Sequence, residues 1–68
     1  MKQLSQAERR VALLVPTGKT NAEIANQLLI SSKTVKFHLT MIYKKLDITN
    51  RVQLTAQIIR GVYDFTRS

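Results

Sequence analysis

Between Ser31 and Arg51 stand five cations, Lys33, Lys36, Lys44, Lys45 and Arg51, against a single acid, Asp47, with Ser31, Ser32, Thr34, Thr40 and Phe37 among them. Ammonium, guanidinium and hydroxyl groups donate to phosphate oxygens and base edges, so these residue types suit recognition of a polyanion. Bond-making chemistry has little to work with. There is no glycine-rich phosphate loop, and Ser31, Ser32, Thr34 and His38 lack an orienting acid. Thr34 and His38 are four apart, which makes them helical neighbours rather than members of a triad. The absence of cysteine excludes a disulfide scaffold and any Cys-based metal site, and the lone His38 has no carboxylate partners nearby. No catalytic residue, metal, cofactor or small-molecule site is expected, and His38 reads as a packing residue at the edge of a buried face.

These side chains need a scaffold, and apolar spacing supplies it. Val35, Leu39, Ile42 and Leu46 recur four, three and four apart, as one side of an α-helix requires. At about 100° per residue the opposite side carries Lys33, Phe37, Thr40 and Lys44, with Lys36 and Met41 at its margins. A phenylalanine opposite the core is poorly explained by solvation alone, the competing explanation being contact with the chain ends.

Start and stop signals divide the chain into four helices, over about 6–15, 21–28, 32–46 and 51–62. Ser5 with Glu8, Thr20 with Glu23, and Asn50 with Gln53 have capping-box spacing, and Ser31 is placed to cap the third helix. Leu4 is placed to staple onto the first turn, and Val11, Leu14 and Val15 form the stripe behind it. Pro16 and Gly18 should end the first helix early or leave it distorted. Ile24, Ala25 and Leu28 face inward on the second helix. Leu29 and Ile30 make the turn, with Ile30 plugging the core; Ala25 fits either a steep helix crossing or an ordinary helix-favouring role.

On the last helix Val52, Ala56, Ile59 and Val62 make one plausible stripe, while Leu54 and Ile58 fall off it. A helix apolar on two sides suggests a partner as well as a core, the alternative being burial on a wide face. The tail 64–68 reads as frayed. No strand alternation, repeat or linker is visible, so residues 1–68 are expected to form one all-α, compact four-helix domain containing a helix-turn-helix.

Sixty-eight residues allow a modest core, and a net charge of +7 on so small a domain fits a polyanion-binding surface, the alternative being a generally basic, solvated one. The longest apolar run, 11–16, is far short of the roughly 20 residues of a membrane span, and no signal-peptide pattern is present, so a cytoplasmic protein is expected. In a helix-turn-helix the second helix enters the major groove and the first braces it. On that geometry Lys36 and Thr40 can reach base edges and Phe37 a thymine methyl. Ser32, Lys33 and Thr34 stand beside the helix N-terminus for phosphate, while Lys44, Lys45 and Arg51 either meet phosphate or are solvated cations.

Leu4-Ser5, Glu8, Gly18, Asn21, Glu23-Ile24-Ala25, Leu28, Ile30-Ser31, Lys33-Thr34-Val35-Lys36, His38-Leu39, Ile42, Lys45-Leu46, Ile48 and Asn50-Arg51 together resemble the LuxR/FixJ-type DNA-binding domain, along nearly the whole chain. The resemblance implies a four-helix domain of bacterial transcription regulators, usually a C-terminal output module, whose third helix reads the major groove and whose fourth forms the dimer contact. It supports Lys36, Phe37 and Thr40 as base-facing and Lys33, Thr34, Lys44 and Arg51 as phosphate contacts. Val52, Leu54, Ala56, Ile58 and Ile59 are then the dimer-interface candidates. Departures fall at Ala7, Arg10, Ala12 and Pro16, where relatives usually carry arginine, an acid, leucine and a non-proline residue. The lost acid at Arg10 raises the question of what anchors the first helix.

The expected function is therefore sequence-specific binding of double-stranded DNA by a homodimeric, nucleoid-associated regulator, with RNA polymerase a candidate further partner. A protein-interaction module with the same fold is the rival, favoured by Phe37 and Met41, and nonspecific nucleoid binding is a third reading. Met1 lies only a few residues before the first start signal, so a compact stand-alone regulator stands beside an excised output module.

Overall fold

Each of the four helices in the computed structural model, which describes residues 4–61, begins at a side-chain cap. Ser5 Oγ accepts from the Glu8 N–H (3.1 Å) and Glu8 Oε1 from the Ser5 N–H (2.8 Å), opening α1, Gln6–Leu14. Thr20 and Glu23 repeat this reciprocal box at α2, Asn21–Leu28. Ser31 caps α3, Ser32–Leu46, through the Thr34 N–H. Asn50 caps α4, Arg51–Arg60, through the Gln53 N–H, but the Gln53 carboxamide oxygen reaches one residue further back, to the Thr49 N–H at 2.6 Å. The spacing at Asn50 thus marks a helix start without a standard box.

Helix ends follow backbone chemistry. Pro16 sits in a 3₁₀ turn, Val15–Thr17, that finishes α1, and Gly18 follows in the left-handed region at φ 84°. α4 stops two residues short of the expected 62 because Gly61, at φ 69°, is its left-handed cap. Leucine and aspartate fill the same conformation at the other two ends: Leu29 at φ 60° and Asp47 at φ 56°.

α3 is the central element, with α1 and α2 packed on it and α4 laid against the 3₁₀ turn. Val11, Ala12, Ile24, Ala25, Val35, Leu39 and Ile42 meet in the core, joined by Leu4, Val15 and Leu54. Ile30 packs on the core edge between α2 and α3, as its position in the turn requires. The expected burial of α2 and α3 holds, and α1 adds Ala12, which is fully buried.

On α4 the inward side is the one carrying Leu54 and Ile58, off the stripe of Val52, Ala56 and Ile59. Leu54 is 0% exposed and Ile58 packs on the core, whereas Val52 and Ile59 are 77% and 73% exposed. Leu54 is therefore a core residue rather than an interface residue, and half-buried Ile58 packs against that core. Both stripes have helical spacing, and only packing against the 3₁₀ turn decides between them. Val62 and the tail 64–68 lie outside the described residues.

Candidate nucleic-acid interface

The outer side of α3 follows from the burial of its other side: with Val35, Leu39 and Ile42 in the core, Lys33, Lys36, Phe37, Thr40 and Lys44 are all exposed. Phe37 is 61% exposed, and its ring meets that of half-buried His38 with centroids 6.0 Å apart and planes tilted by 56°. Met41 is half-buried, at the margin of this face. An apolar ring thus stands in a row of cations and hydroxyls on a helix braced from behind. The Thr40 hydroxyl donates to the Lys36 carbonyl at 3.0 Å, which leaves its oxygen lone pairs turned outward as acceptors.

At the N-terminus of α3, Ser32 and Lys33 are exposed, while the Thr34 hydroxyl shares a 2.8 Å hydrogen bond with the capping Ser31 hydroxyl. The first-turn N–H groups and the positive end of the helix dipole here suit an anion. Lys44 is exposed near the other end of the helix. Among the described residues no helix is long and apolar enough to cross a membrane.

Two of the cations read as either phosphate ligands or solvated charges, Lys45 and Arg51, have intramolecular partners. Lys45 donates to Glu8 Oε1 at 2.7 Å, tying α3 to α1 through the same oxygen that accepts the Ser5 N–H. Burial raises the Glu8 pKa, but the Lys45 hydrogen bond and charge, with the Ser5 N–H and hydroxyl, outweigh it and hold the carboxyl below its ordinary range. This pair anchors α1, so the departure at Arg10, an exposed residue, leaves that helix tied. Arg51 is half-buried and donates to Asn21 Oδ1 and to the Lys19 carbonyl, each at 2.7 Å. It is therefore a structural bracket between α4 and the start of α2, a role periodicity cannot reveal because its partners are 30 and 32 positions away.

The rest of the expected interface lies on α4. Val52, Thr55, Ala56 and Ile59 line an open apolar depression with Arg51 at its end.

The chain matches the model of the GerE family, "Bacterial regulatory proteins, luxR family", over residues 2–58. It is 46% identical over 50 residues to the transcriptional regulatory protein LiaR of Bacillus subtilis, covering 74% of this chain and 24% of LiaR. It is 43% identical over 58 residues to the uncharacterized response regulatory protein YgeK of Escherichia coli, covering 85% of this chain and 40% of that protein. The HTH-type transcriptional regulator AlkS of Alcanivorax borkumensis is 44% identical over 57 residues, covering 79% of this chain and 6% of AlkS. The chain thus spans between 6% and 40% of the length of these relatives. With four helices, an exposed cationic third helix and a family match over most of its length, the chain belongs to the LuxR family of bacterial regulatory proteins, as a helix-turn-helix domain of transcription regulators.

Proposed function

We propose that this domain binds double-stranded DNA sequence-specifically as a homodimer, α3 entering the major groove of each half-site. The observation that carries the reading is the exposed row Lys33, Lys36, Phe37, Thr40 and Lys44 on a helix whose opposite side is core. Lys36 and Thr40 read base edges, and Phe37 presses on a thymine methyl. Ser32, Lys33, Thr34 and Lys44 meet phosphates on either side. The second copy docks on Val52, Ala56 and Ile59, an apolar face on which two residues are more than 70% exposed. The reading also implies residence with chromosomal DNA in the bacterial cytoplasm, and leaves RNA polymerase as a partner for a DNA-bound dimer.

With Lys33 and Lys44 each neutralising a phosphate in both subunits, a dimer's affinity falls with salt at a log–log slope of roughly −4, at about −0.9 per neutralised phosphate. Titration of a duplex selected from a randomised pool checks this, and a slope near zero sinks the mechanism. The exposed Phe37 ring also favours the rival reading, a module that captures another regulator. Changing Lys33, Lys36 and Lys44 together to Ala separates them: DNA binding is lost with self-association intact on the first reading, and regulation is unchanged on the second.

A further inference from the structure

Arg51 occupies the first position of α4, directly after the loop that follows α3. Its two terminal nitrogens reach back to Asn21 Oδ1 and the Lys19 carbonyl, on either side of the residue that caps α2. α2 and α3 are thereby joined at both ends. At the turn, the Ile30 N–H donates to the Ala25 carbonyl at 3.0 Å. At the open end, the guanidinium fastens the start of α4, reached from α3 through the loop 47–50, to the entrance of α2.

α2 and α3 already pack through Ile24, Ala25, Val35 and Leu39, but apolar contact is non-directional, and a polar tie at the open end narrows their crossing angle. A guanidinium suits this tie because its planar fork sets the direction of both hydrogen bonds, and a charged donor strengthens each. On α3, burial raises the Tyr43 phenol above its ordinary pKa and the Arg51 charge opposes that rise.

We propose that Arg51 is a positioning residue for base reading: by holding Asn21 and the Lys19 carbonyl it fixes the α2–α3 crossing, so that Lys36, Phe37 and Thr40 meet the groove in one register, and it does not itself neutralise phosphate. The proposal rests on the DNA-binding reading above. It gives Arg51 an effect on sequence preference rather than on overall attraction to DNA.

The test measures salt titrations of the intact chain on two duplexes of equal length, one selected from a randomised pool by the wild type and one of random sequence. Arg51→Met, Arg51→Lys, Asn21→Ala and the Arg51→Met/Asn21→Ala pair are compared with wild type. The expected result for Arg51→Met is a loss of about tenfold in preference for the selected duplex, the scale of a charged hydrogen bond, with random-duplex affinity and slope unchanged. Asn21→Ala reproduces part of that loss with the arginine intact, and the pair loses no more than Arg51→Met alone because the two act as one unit. Arg51→Lys keeps the charge, lacks the fork, and behaves like Arg51→Met.

A phosphate ligand behaves differently. Its removal weakens both duplexes alike and lowers the magnitude of the slope by about 0.9 per subunit, lysine restores it, and the Asn21 change adds independently. That pattern, or unchanged preference in Arg51→Met, overturns the positioning role while the wild-type slope and preference stand. A wild type with a flat slope and no preference removes the DNA-binding reading and this inference together. Should Arg51→Met fail to fold by circular dichroism, Asn21→Ala, which keeps the Thr20–Glu23 cap, decides alone through the same comparison.

Discussion

Phe37 and Thr40 are exposed side chains whose proposed work is outside the fold, so their substitution should separate binding from stability. Phe37→Ala removes a ring that is 61% exposed, and the melting temperature is expected to stay within a degree or two of wild type. Binding to the selected duplex should weaken about tenfold or more, as loss of a base-edge contact worth roughly 1–3 kcal/mol requires. Competition binding alongside a thermal melt checks both halves, and a large fall in melting temperature with binding intact would reassign Phe37 to the fold. Thr40 has a chemical bias, because its hydroxyl proton is directed at the Lys36 carbonyl. An outward acceptor pairs with the amino group of adenine or cytosine, so Thr40→Val should relax preference at one base position while leaving the others alone. Sequencing of pools selected by the two proteins reads this directly.

At the scale of elements, the turn between α2 and α3 is the least comfortable backbone among the described residues. Leu29 holds a left-handed conformation at φ 60° while its side chain is 90% exposed, so strain is not offset by burial. Left-handed geometry costs an L-residue about 1–2 kcal/mol, and Leu29→Gly is expected to stabilise the domain by roughly 1 kcal/mol after the added unfolded-state freedom of glycine is subtracted. Urea denaturation measures it, and destabilisation would show that the leucine side chain contributes more than its exposure indicates. On α4, Leu54→Ala should cost about 2–5 kcal/mol and Val52→Ala almost nothing in the monomer, which tests the observed phase of that helix. These elements also mark how much was legible in the residues. The faces of α3 follow from one unambiguous stripe, and the starts of α1 and α2 from capping boxes satisfied as spaced. α4 carries two stripes of equal merit, so its inward face depends on contact with the 3₁₀ turn, to which no local spacing refers. The end of α4 was visible in Gly61, whose type alone favours a left-handed cap. Lys45 and Arg51 read only as phosphate ligands or solvated cations because their partners, Glu8 and Asn21, are distant in the chain.

For the molecule as a whole, the Glu8–Lys45 pair makes stability depend on acid. The Glu8 carboxyl is held below its ordinary pKa of 4.5, so its contribution is present in full above that value and drains away as pH falls through the folded-state value. Glu8→Gln should therefore cost about 1.5–3 kcal/mol near neutral pH, the scale of a hydrogen bond to a charged group, with the gap to wild type closing as the solution is acidified below about 4.5. Urea midpoints between neutral pH and pH 3 check this; a gap that stays constant would mean that packing, not ionisation, underlies the loss. Long-range ties join α1 to α3 and α4 to α2, and each uses a cation from the chain's basic surplus.

Because Leu54 and Ile58 serve the core while Val52, Ala56 and Ile59 serve the surface, α4 holds two independent sets of positions within one short helix. If the proposed dimer forms on the surface set, gene duplicates of such a domain would diverge in which copy they pair with by exchanging only those positions, insulating parallel regulatory circuits in one cell while every copy keeps the same fold.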